Sequence, residues 1–187
     1  MPEQTDEAIA MRVQEGDIES FGLLMDRYES KLMRYARKFL SDGEDIKDIV
    51  QDVCVKAYTN IQSFDADKRF SPWIYRIAHN ELVNALKKKR RMPLFFFDLD
   101  VILPHPVAPE TADGEANRQE LRRVLDQYLG RIGPKYREPL VLYFFEEMEY
   151  KEIADILQIP ISTVGVRIAR GKAMLKKLLT QDDKVYV

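Results

Sequence analysis

One stretch near the C-terminus sets polar and cationic side chains at helical intervals. Thr163, Val166, Arg167 and Arg170 lie at i, i+3, i+4 and i+7, so a helix there would present them on one side. An arginine can form a bidentate hydrogen bond with a guanine edge, worth about 1–3 kcal/mol of discrimination. The spacing favours contact with DNA bases, and a solvated basic helix face is the alternative. The candidate DNA-contacting residues are Ser162, Thr163, Val166, Arg167, Arg170 and Lys172.

The residues just before this stretch predict a short helix and a tight turn. Ile153, Ala154 and Leu157 are spaced as the inner face of a first helix, and residues 158–160 leave only a three-residue turn. A short helix, a tight turn and a second helix with exposed hydroxyl and arginine groups describe a helix-turn-helix. Its second helix would enter the major groove of DNA.

Helical periodicity extends over most of the chain. Apolar positions recur at helical spacing on both sides of a loop at 61–70, and no strand pattern has the length or alternation to compete. Ser71 and Pro72 together favour a helix start, as an N-cap followed by proline. We therefore expect an all-α protein. The predicted helices are about 17–40, 44–60, 71–91, 117–132, 135–147, 150–157 and 161–179.

The segment 92–116 separates these helices into two groups. It contains four prolines and a glycine and ends in an acidic run, which is linker composition. We expect a three- to four-helix domain over 1–91, an irregular linker over 92–116, and a helix-turn-helix domain over 117–187. Three consecutive phenylalanines are unusual in a free linker, so we expect them to pack on a partner or on one of the two domains. They are Phe95, Phe96 and Phe97.

Charge is unevenly distributed along a chain whose net charge is only −2. Residues 1–30 hold eight acids and two bases, whereas residues 68–91 hold eight bases and one acid. Residues 165–177 hold five bases and no acid. Two basic blocks favour two separate contacts with a polyanion. Cations that complement helix C-termini would give the same pattern.

Several classes of function are disfavoured by the composition. His79 and His105 are isolated, and the single cysteine, Cys54, fits a helix core, so we expect no nucleophile–base pair, no metal site and no cofactor. There is no phosphate-cradling glycine loop. The acidic N-terminus does not resemble a signal peptide, and no apolar run is long enough to span a bilayer. We expect a non-enzymatic, cytoplasmic protein that does not insert into membranes.

Two long segments resemble a known family. The stretch DIVQDVCVKAYTNIQSFDADKRFSPWIYRIAHNELVNALKKKRR resembles region 2 of bacterial RNA polymerase sigma factors, most closely the extracytoplasmic-function (ECF) group. RIGPKYREPLVLYFFEEMEYKEIADILQIPISTVGVRIARGKAML resembles region 4 of the same group, in the family's order. The resemblance implies a factor that binds core RNA polymerase, recognises the −35 and −10 promoter elements and assists promoter melting. It also implies partners: core polymerase, promoter DNA and, as is common in this group, an anti-sigma protein.

The resemblance assigns a polymerase-docking role to three residues of the second predicted helix. Asp48, Gln51 and Asp52 match positions that dock on the clamp helices of the polymerase β′ subunit. Acids at this spacing can pair with arginines on a partner helix. A solvated helix face is the alternative. In the second domain, the apolar run 139–145 is expected to be mostly core, with some surface meeting the β flap.

The residues that match regions 2.3 and 2.4 are expected to melt and recognise the −10 element. Stacking of an unpaired base on an aromatic ring contributes about 1–3 kcal/mol, and the aromatic residues here alternate with cations. The alternative is that these rings pack the loop against the helix. The candidates are Phe64, Lys68, Arg69, Phe70, Trp73, Arg76, Asn80, Asn84 and Lys87.

In the region 4 match, Arg137 corresponds to a phosphate-contacting position, and a plain surface arginine is the alternative. Gly165 and Val166 depart from the common pattern, which leaves the preferred −35 sequence open. Two other functions also stay open. One is an autonomous helix-turn-helix regulator that does not dock on polymerase, and the other is a helical adaptor that binds acidic proteins.

Overall fold

The computed structural model describes residues 4–88 and 125–183, with side chains described as far as 181. The chain divides into two compact units, Met1–Met92 and Pro93–Val187. Every regular element among the described residues is a helix, so the all-α prediction is confirmed. The predicted linker and its three phenylalanines lie outside the described residues.

Over residues 4–88 the first unit contains four α-helices, which agrees with the expected three to four, although the apolar periodicity located only three of them. The additional helix is N-terminal, and its start is capped by the Thr5 hydroxyl, which accepts a hydrogen bond from the Ala8 N–H at 3.2 Å. Its Ile9, Ala10 and Val13 are buried in the core. The helices are α1 (Asp6–Gln14), α2 (Ser20–Arg37), α3 (Gly43–Asn60) and α4 (Phe70–Lys88), with a 3₁₀ turn at Ile61–Ser63.

Aromatic side chains join α2 to α4 through the core of this unit. Tyr28 packs edge-on against Phe70 with ring centroids 5.3 Å apart, and Tyr35 packs against Tyr75 at 5.4 Å. All four rings are buried. Because the contacting residues follow the same order along both helices, α2 and α4 run parallel. Edge-to-face pairs of this kind add about 0.5–1.5 kcal/mol each beyond the area they bury.

The start of α4 is held by a carboxylate from far away in sequence. The helix was expected to begin at Ser71 and Pro72, but it begins at Phe70. The Phe70 N–H donates a hydrogen bond to Glu7 Oε1 at 2.9 Å. A negative charge at a helix N-terminus satisfies an otherwise unpaired donor and complements the helix dipole. The predicted start of α4 at Ser71 was wrong because the hydrogen-bond acceptor at this end of the helix comes from α1 rather than from a local cap.

We expect Glu7→Ala to lower the free energy of unfolding of the protein by about 1 kcal/mol, because the first amide of α4 loses its acceptor. Urea unfolding followed by circular dichroism measures the change. Glu15→Ala is the matched control, because Glu15 is an exposed acid at the other end of α1. Equal effects of the two substitutions would contradict the capping role.

The second unit is described from residue 125. Residues 125–128 are helical and lead into a 3₁₀ turn at Leu129–Arg131. Pro134 occupies the first turn of the next helix, so the predicted break at Gly133 and Pro134 is also a helix start. The remaining helices are α5 (Pro134–Phe144), α6 (Tyr150–Leu157) and α7 (Ile161–Asp183).

The turn between α6 and α7 has the expected length of three residues. A capping box of Glu149 and Glu152 begins α6, and Gln158 ends it in the left-handed region with φ 54°. On the buried side of α7, a side chain at Gly171 would bring Cβ within 2.6 Å of Leu140 Cδ1. The glycine therefore permits close packing of α7 against α5.

Candidate nucleic-acid interface

The exposed face of α4 presents polar and basic groups in one line. Arg76, Asn80, Asn84 and Lys87 are all exposed and are spaced at i, i+4, i+8 and i+11. Glu81 lies to one side of this line, where it accepts a hydrogen bond from Lys56 Nζ of α3 at 2.6 Å. The structure therefore brings four of the predicted −10 residues together on one surface of α4. Glu81, the acid of this helix, is paired with Lys56 beside that surface.

Two of the three predicted stacking rings are buried instead. Phe64 is 5% exposed and Phe70 0%, and their centroids lie 5.3 Å apart. Trp73 rests against both rings, at 5.4 and 5.3 Å, and is itself half-buried. The expectation that Phe64 and Phe70 hold unpaired bases is therefore corrected for this conformation. Their large apolar area is better removed from water by packing, which leaves Trp73 as the accessible ring.

The loop beside Trp73 is held by a residue that the sequence pattern did not reveal. Gln14, at the end of α1, donates through Nε2 to the Ile61 and Phe64 carbonyl oxygens at 2.7 and 2.8 Å. Farther along the loop, Lys68 pairs with Asp65 at 3.1 Å, and Lys68 and Arg69 are exposed. Since α1 was not predicted, nothing in the sequence pattern pointed to Gln14.

The predicted recognition helix, α7, presents a slightly different face from the one expected. Ser162 is exposed, and Thr163, Val166 and Arg170 are partly exposed. Arg167 is only 8% exposed, so its placement on the outward side was wrong. It lies at the edge of the buried stripe of Val164 and Ile168, where the long stem of an arginine can cover apolar surface.

Two more predicted contact residues are engaged within the second unit. Lys172 lies over the rings of Tyr143 and Phe144, with Nζ 5.9 and 5.2 Å from the centroids. This places Lys172 against the end of α5 rather than with Thr163.

Arg137 is bound to the backbone of the preceding turn. Its guanidinium donates to the Ile132 carbonyl oxygen at 3.0 and 2.8 Å and to that of Gly130 at 3.0 Å. Partial burial also lowers the pKa of Arg137. These bonds attach Arg137 to the turn before α5, which gives the residue a structural role.

The three candidate docking residues lie together on α3. Asp48, Gln51 and Asp52 are all exposed, on the side away from the buried Ile49 and Val53. Nearby, Cys54 was expected in the core but is half-buried, and burial raises the pKa of its thiol. A raised pKa keeps the thiol protonated and poorly nucleophilic.

Residues 4–88 and 125–183 contain neither a membrane-spanning helix nor a metal-binding cluster. No helix there is long and apolar enough to cross a membrane. In the same ranges, no group of three or more histidine, cysteine, aspartate or glutamate side chains could hold a metal ion.

The chain matches two protein-family models. Residues 24–92 match Sigma-70 region 2, and residues 122–175 match Sigma-70 region 4. The two matches follow the order predicted from the motifs.

Curated relatives match over nearly the full length of this chain. The ECF RNA polymerase sigma factor SigW of Bacillus subtilis is 34% identical over 179 residues, covering 90% of this chain and 93% of SigW. The ECF RNA polymerase sigma-E factor of Escherichia coli K12 is 33% identical over 180 residues, covering 92% of this chain and 93% of that protein.

Two solved structures share the fold. CnrH, in complex with the cytosolic domain of CnrY, has a TM-score of 0.68 and 28% identity, covering 96% of this chain and 99% of CnrH. The sigma factor RpoE of Bartonella quintana, in complex with the anti-sigma factor NepR, has a TM-score of 0.62 and 23% identity. The second match covers 87% of this chain and 98% of RpoE.

Proposed function

This chain belongs to the ECF family of RNA polymerase sigma factors, and we propose that its two units contact two separate promoter elements. It is a promoter-directing sigma factor. Sigma factors are in general not enzymes, and we assign the chemistry of RNA synthesis to the core polymerase. We place the protein in the cytoplasm, where it would meet core polymerase and promoter DNA.

The first unit is proposed to hold the −10 element on the exposed face of α4. The observation that supports this role is the line of Arg76, Asn80, Asn84 and Lys87 beside the accessible ring of Trp73. Amide side chains can bond base edges, cations can bond phosphates, and an indole can stack on an unpaired base. Lys68 and Arg69 are added as backbone contacts from the adjoining loop, because both are exposed.

The second unit is proposed to read the −35 element with the start of α7. The accessible residues at the start of α7, after the tight turn at Gln158, are Ser162, Thr163, Val166 and Arg170. This arrangement suits a recognition helix in the major groove, with hydroxyl and guanidinium groups at base edges and a valine at a thymine methyl. Arg137, Arg167 and Lys172 are left out because each is buried or engaged within the unit.

Docking on the polymerase is proposed for the acids of α3. Exposed carboxylates one turn apart, at Asp48 and Asp52, suit charge-assisted hydrogen bonds with basic groups on the β′ clamp helices. A contact between the second unit and the β flap is proposed from the family likeness. We also propose a regulatory partner that binds the sigma factor, because the similar CnrH forms a complex with the cytosolic domain of CnrY.

Run-off transcription tests the proposal as a whole. Core polymerase with the full chain should initiate at specific sites selected from a library of genomic fragments, and neither component alone should do so. An autonomous regulator would instead bind specific duplex DNA tightly without core polymerase. Failure of the chain to co-elute with core polymerase on gel filtration, together with such binding, would overturn the proposal.

We expect Arg170→Ala to lower transcription from a selected promoter by about 5- to 150-fold, because one bidentate base contact contributes about 1–3 kcal/mol. The measurement is run-off yield from the selected promoter and from variants changed one base pair at a time in the −35 element. At the base pair that Arg170 contacts, a change of sequence removes the same interaction from the wild-type protein. Wild-type and variant proteins should therefore give equal run-off yields from that promoter variant. A uniform loss at every −35 sequence would contradict base recognition and indicate a phosphate contact.

A further inference from the structure

Helix α1 holds both ends of the loop that leads into α4. Near the start of this loop, Gln14 Nε2 donates to the Ile61 and Phe64 carbonyl oxygens at 2.7 and 2.8 Å. At its end, Glu7 accepts the hydrogen bond of the Phe70 N–H at 2.9 Å. Glu7 and Gln14 are two helical turns apart, so they share one side of α1 and are separated by about 10 Å along its axis. One helix therefore sets the distance between the two ends of the loop.

Helix α1 is itself attached to the core of the first unit. Asp6 accepts hydrogen bonds from the Tyr28 hydroxyl and from Arg27 Nη1, both at 2.6 Å. Ile9 and Ala10 of the same helix are almost fully buried. The two ends of the loop are therefore held at fixed points of the core.

The hydrogen bonds of Gln14 act on the main chain of the loop. Its amide donates to two carbonyl oxygens, and Gln62 Nε2 donates in return to the Gln14 carbonyl oxygen at 3.1 Å. Gln14 is the last residue of α1, so its carbonyl has no partner within the helix. Because both acceptors of the amide belong to the main chain, Gln14 fixes the path of the chain rather than one side chain.

The residues positioned in this way include the DNA contacts proposed above. The Phe64 ring packs against Trp73 with centroids 5.4 Å apart, so the chain at Phe64 supports the accessible ring. Between the fixed ends, the Lys68 N–H donates to the Asp65 carbonyl oxygen at 3.0 Å and closes a turn. Lys68 and Arg69 are exposed there. A displacement of Phe64 would therefore move the ring and both cations.

We infer that Gln14 is a positioning residue for −10 recognition, which orders the loop before DNA binds and makes no DNA contact itself. The inference rests on the proposed function of α4 and its preceding loop. A loop that is already ordered loses less conformational freedom on binding, so the affinity is higher than for a loop that is ordered only part of the time. Sequences that do not make the contacts of the loop depend less on its order. Loss of Gln14 should therefore weaken binding of the preferred −10 sequence more than binding of altered ones.

The test uses preformed holoenzyme and the variant Gln14→Leu, which keeps the approximate size of the side chain and removes both donors. The probes are fork DNA with an unpaired −10 strand, taken from a promoter that supports run-off transcription, and forks changed one −10 base at a time. Two net hydrogen bonds correspond to a factor of about 5 to 150, and the affinity for the preferred probe should fall by a factor in this range. The affinity for at least one altered probe should fall less, so that discrimination between the probes shrinks.

A second variant gives a graded result. Gln62→Leu removes only the return hydrogen bond, from an exposed side chain, and should weaken binding of the preferred probe by a factor of about 2 to 12. If Gln14→Leu does not fold, Gln62→Leu decides by the same comparison of probes.

Two control variants separate positioning from stability. Gln4→Leu makes the same substitution at an exposed glutamine that accepts a hydrogen bond from Arg12 of α1. Val13→Ala removes buried methyl groups of α1 and retains Gln14. Both should keep the discrimination of the wild-type holoenzyme. Thermal unfolding and affinity for core polymerase are measured for every variant.

Unchanged discrimination in a folded Gln14→Leu protein would overturn the inference. An equal loss in Val13→Ala would also overturn it, because the effect would then follow from the stability of α1. If wild-type holoenzyme initiates at no promoter, the proposed function itself fails, and the inference fails with it.

Discussion

Phe70→Ala should lower the free energy of unfolding by about 3–5 kcal/mol, a large part of the stability of a small domain. The Phe70 ring is fully buried, and its centroid lies 5.3 Å from the ring centroids of Tyr28, Phe64 and Trp73. Removing it leaves a cavity where α1, α2 and the loop before α4 meet. Urea unfolding of the full chain, followed by circular dichroism, measures the loss.

Trp73→Ala is the informative comparison for Phe70. Trp73 belongs to the same cluster but is half-buried, so its removal should cost less stability. It should nevertheless reduce promoter opening, which is measured by permanganate reactivity of unpaired thymines around the start site. A folded Phe70→Ala protein that unfolds like wild type but fails to open promoters would contradict our assignment, because the ring would then act on DNA rather than in the core.

Reversing both acids of the docking face, Asp48→Lys/Asp52→Lys, should weaken binding to core polymerase about 100-fold or more. Charged pairs at interfaces couple by about 1.5–7 kcal/mol, and reversal replaces attraction with repulsion. Both side chains are exposed, so the fold should be little affected. The dissociation constant for labelled core polymerase measures the effect, and Asp48→Glu/Asp52→Glu should retain most of the affinity.

The matched control for this reversal is Glu15→Lys/Asp26→Lys. It makes the same change in net charge at two other exposed positions of the first unit. Loss of core binding in both double variants would indicate that overall charge, rather than the α3 face, governs association. The assignment of Asp48 and Asp52 would then be withdrawn.

The elements that followed from the sequence are those with strong local signals. The turn at 158–160 and the break at Gly133 and Pro134 have residue types that act within a few positions, and α3 has an uninterrupted apolar stripe. Each was located to within about two residues. The helix α1 was missed because its buried face consists of few residues over only two and a half turns, and its packing partners are distant in sequence.

Exposure of the candidate site was harder to predict than its elements. An aromatic residue next to cations has the same pattern whether it stacks on a base or fills a core. For Phe70 the contact with Tyr28 decides, and it joins residues more than thirty positions apart; Phe64 in turn packs on Phe70. Arg167 was placed outward on spacing alone, although it lies only three residues after Val164, which is fully buried. For a residue between the buried and the exposed face of a helix, the packing of the neighbouring helices decides how much of the side chain is exposed.

The short helix α1 has a practical consequence for fragments of this protein. The region 2 family match begins at Leu24, so a fragment cut at that boundary would lack both Glu7 and Gln14. It would retain α4 and its DNA-facing side chains but lose the acceptor at the start of α4 and the donor that fixes the preceding loop. Expression boundaries for the isolated domain should therefore include the N-terminal residues from Thr5 onward, and a fusion partner is better attached with a spacer before them.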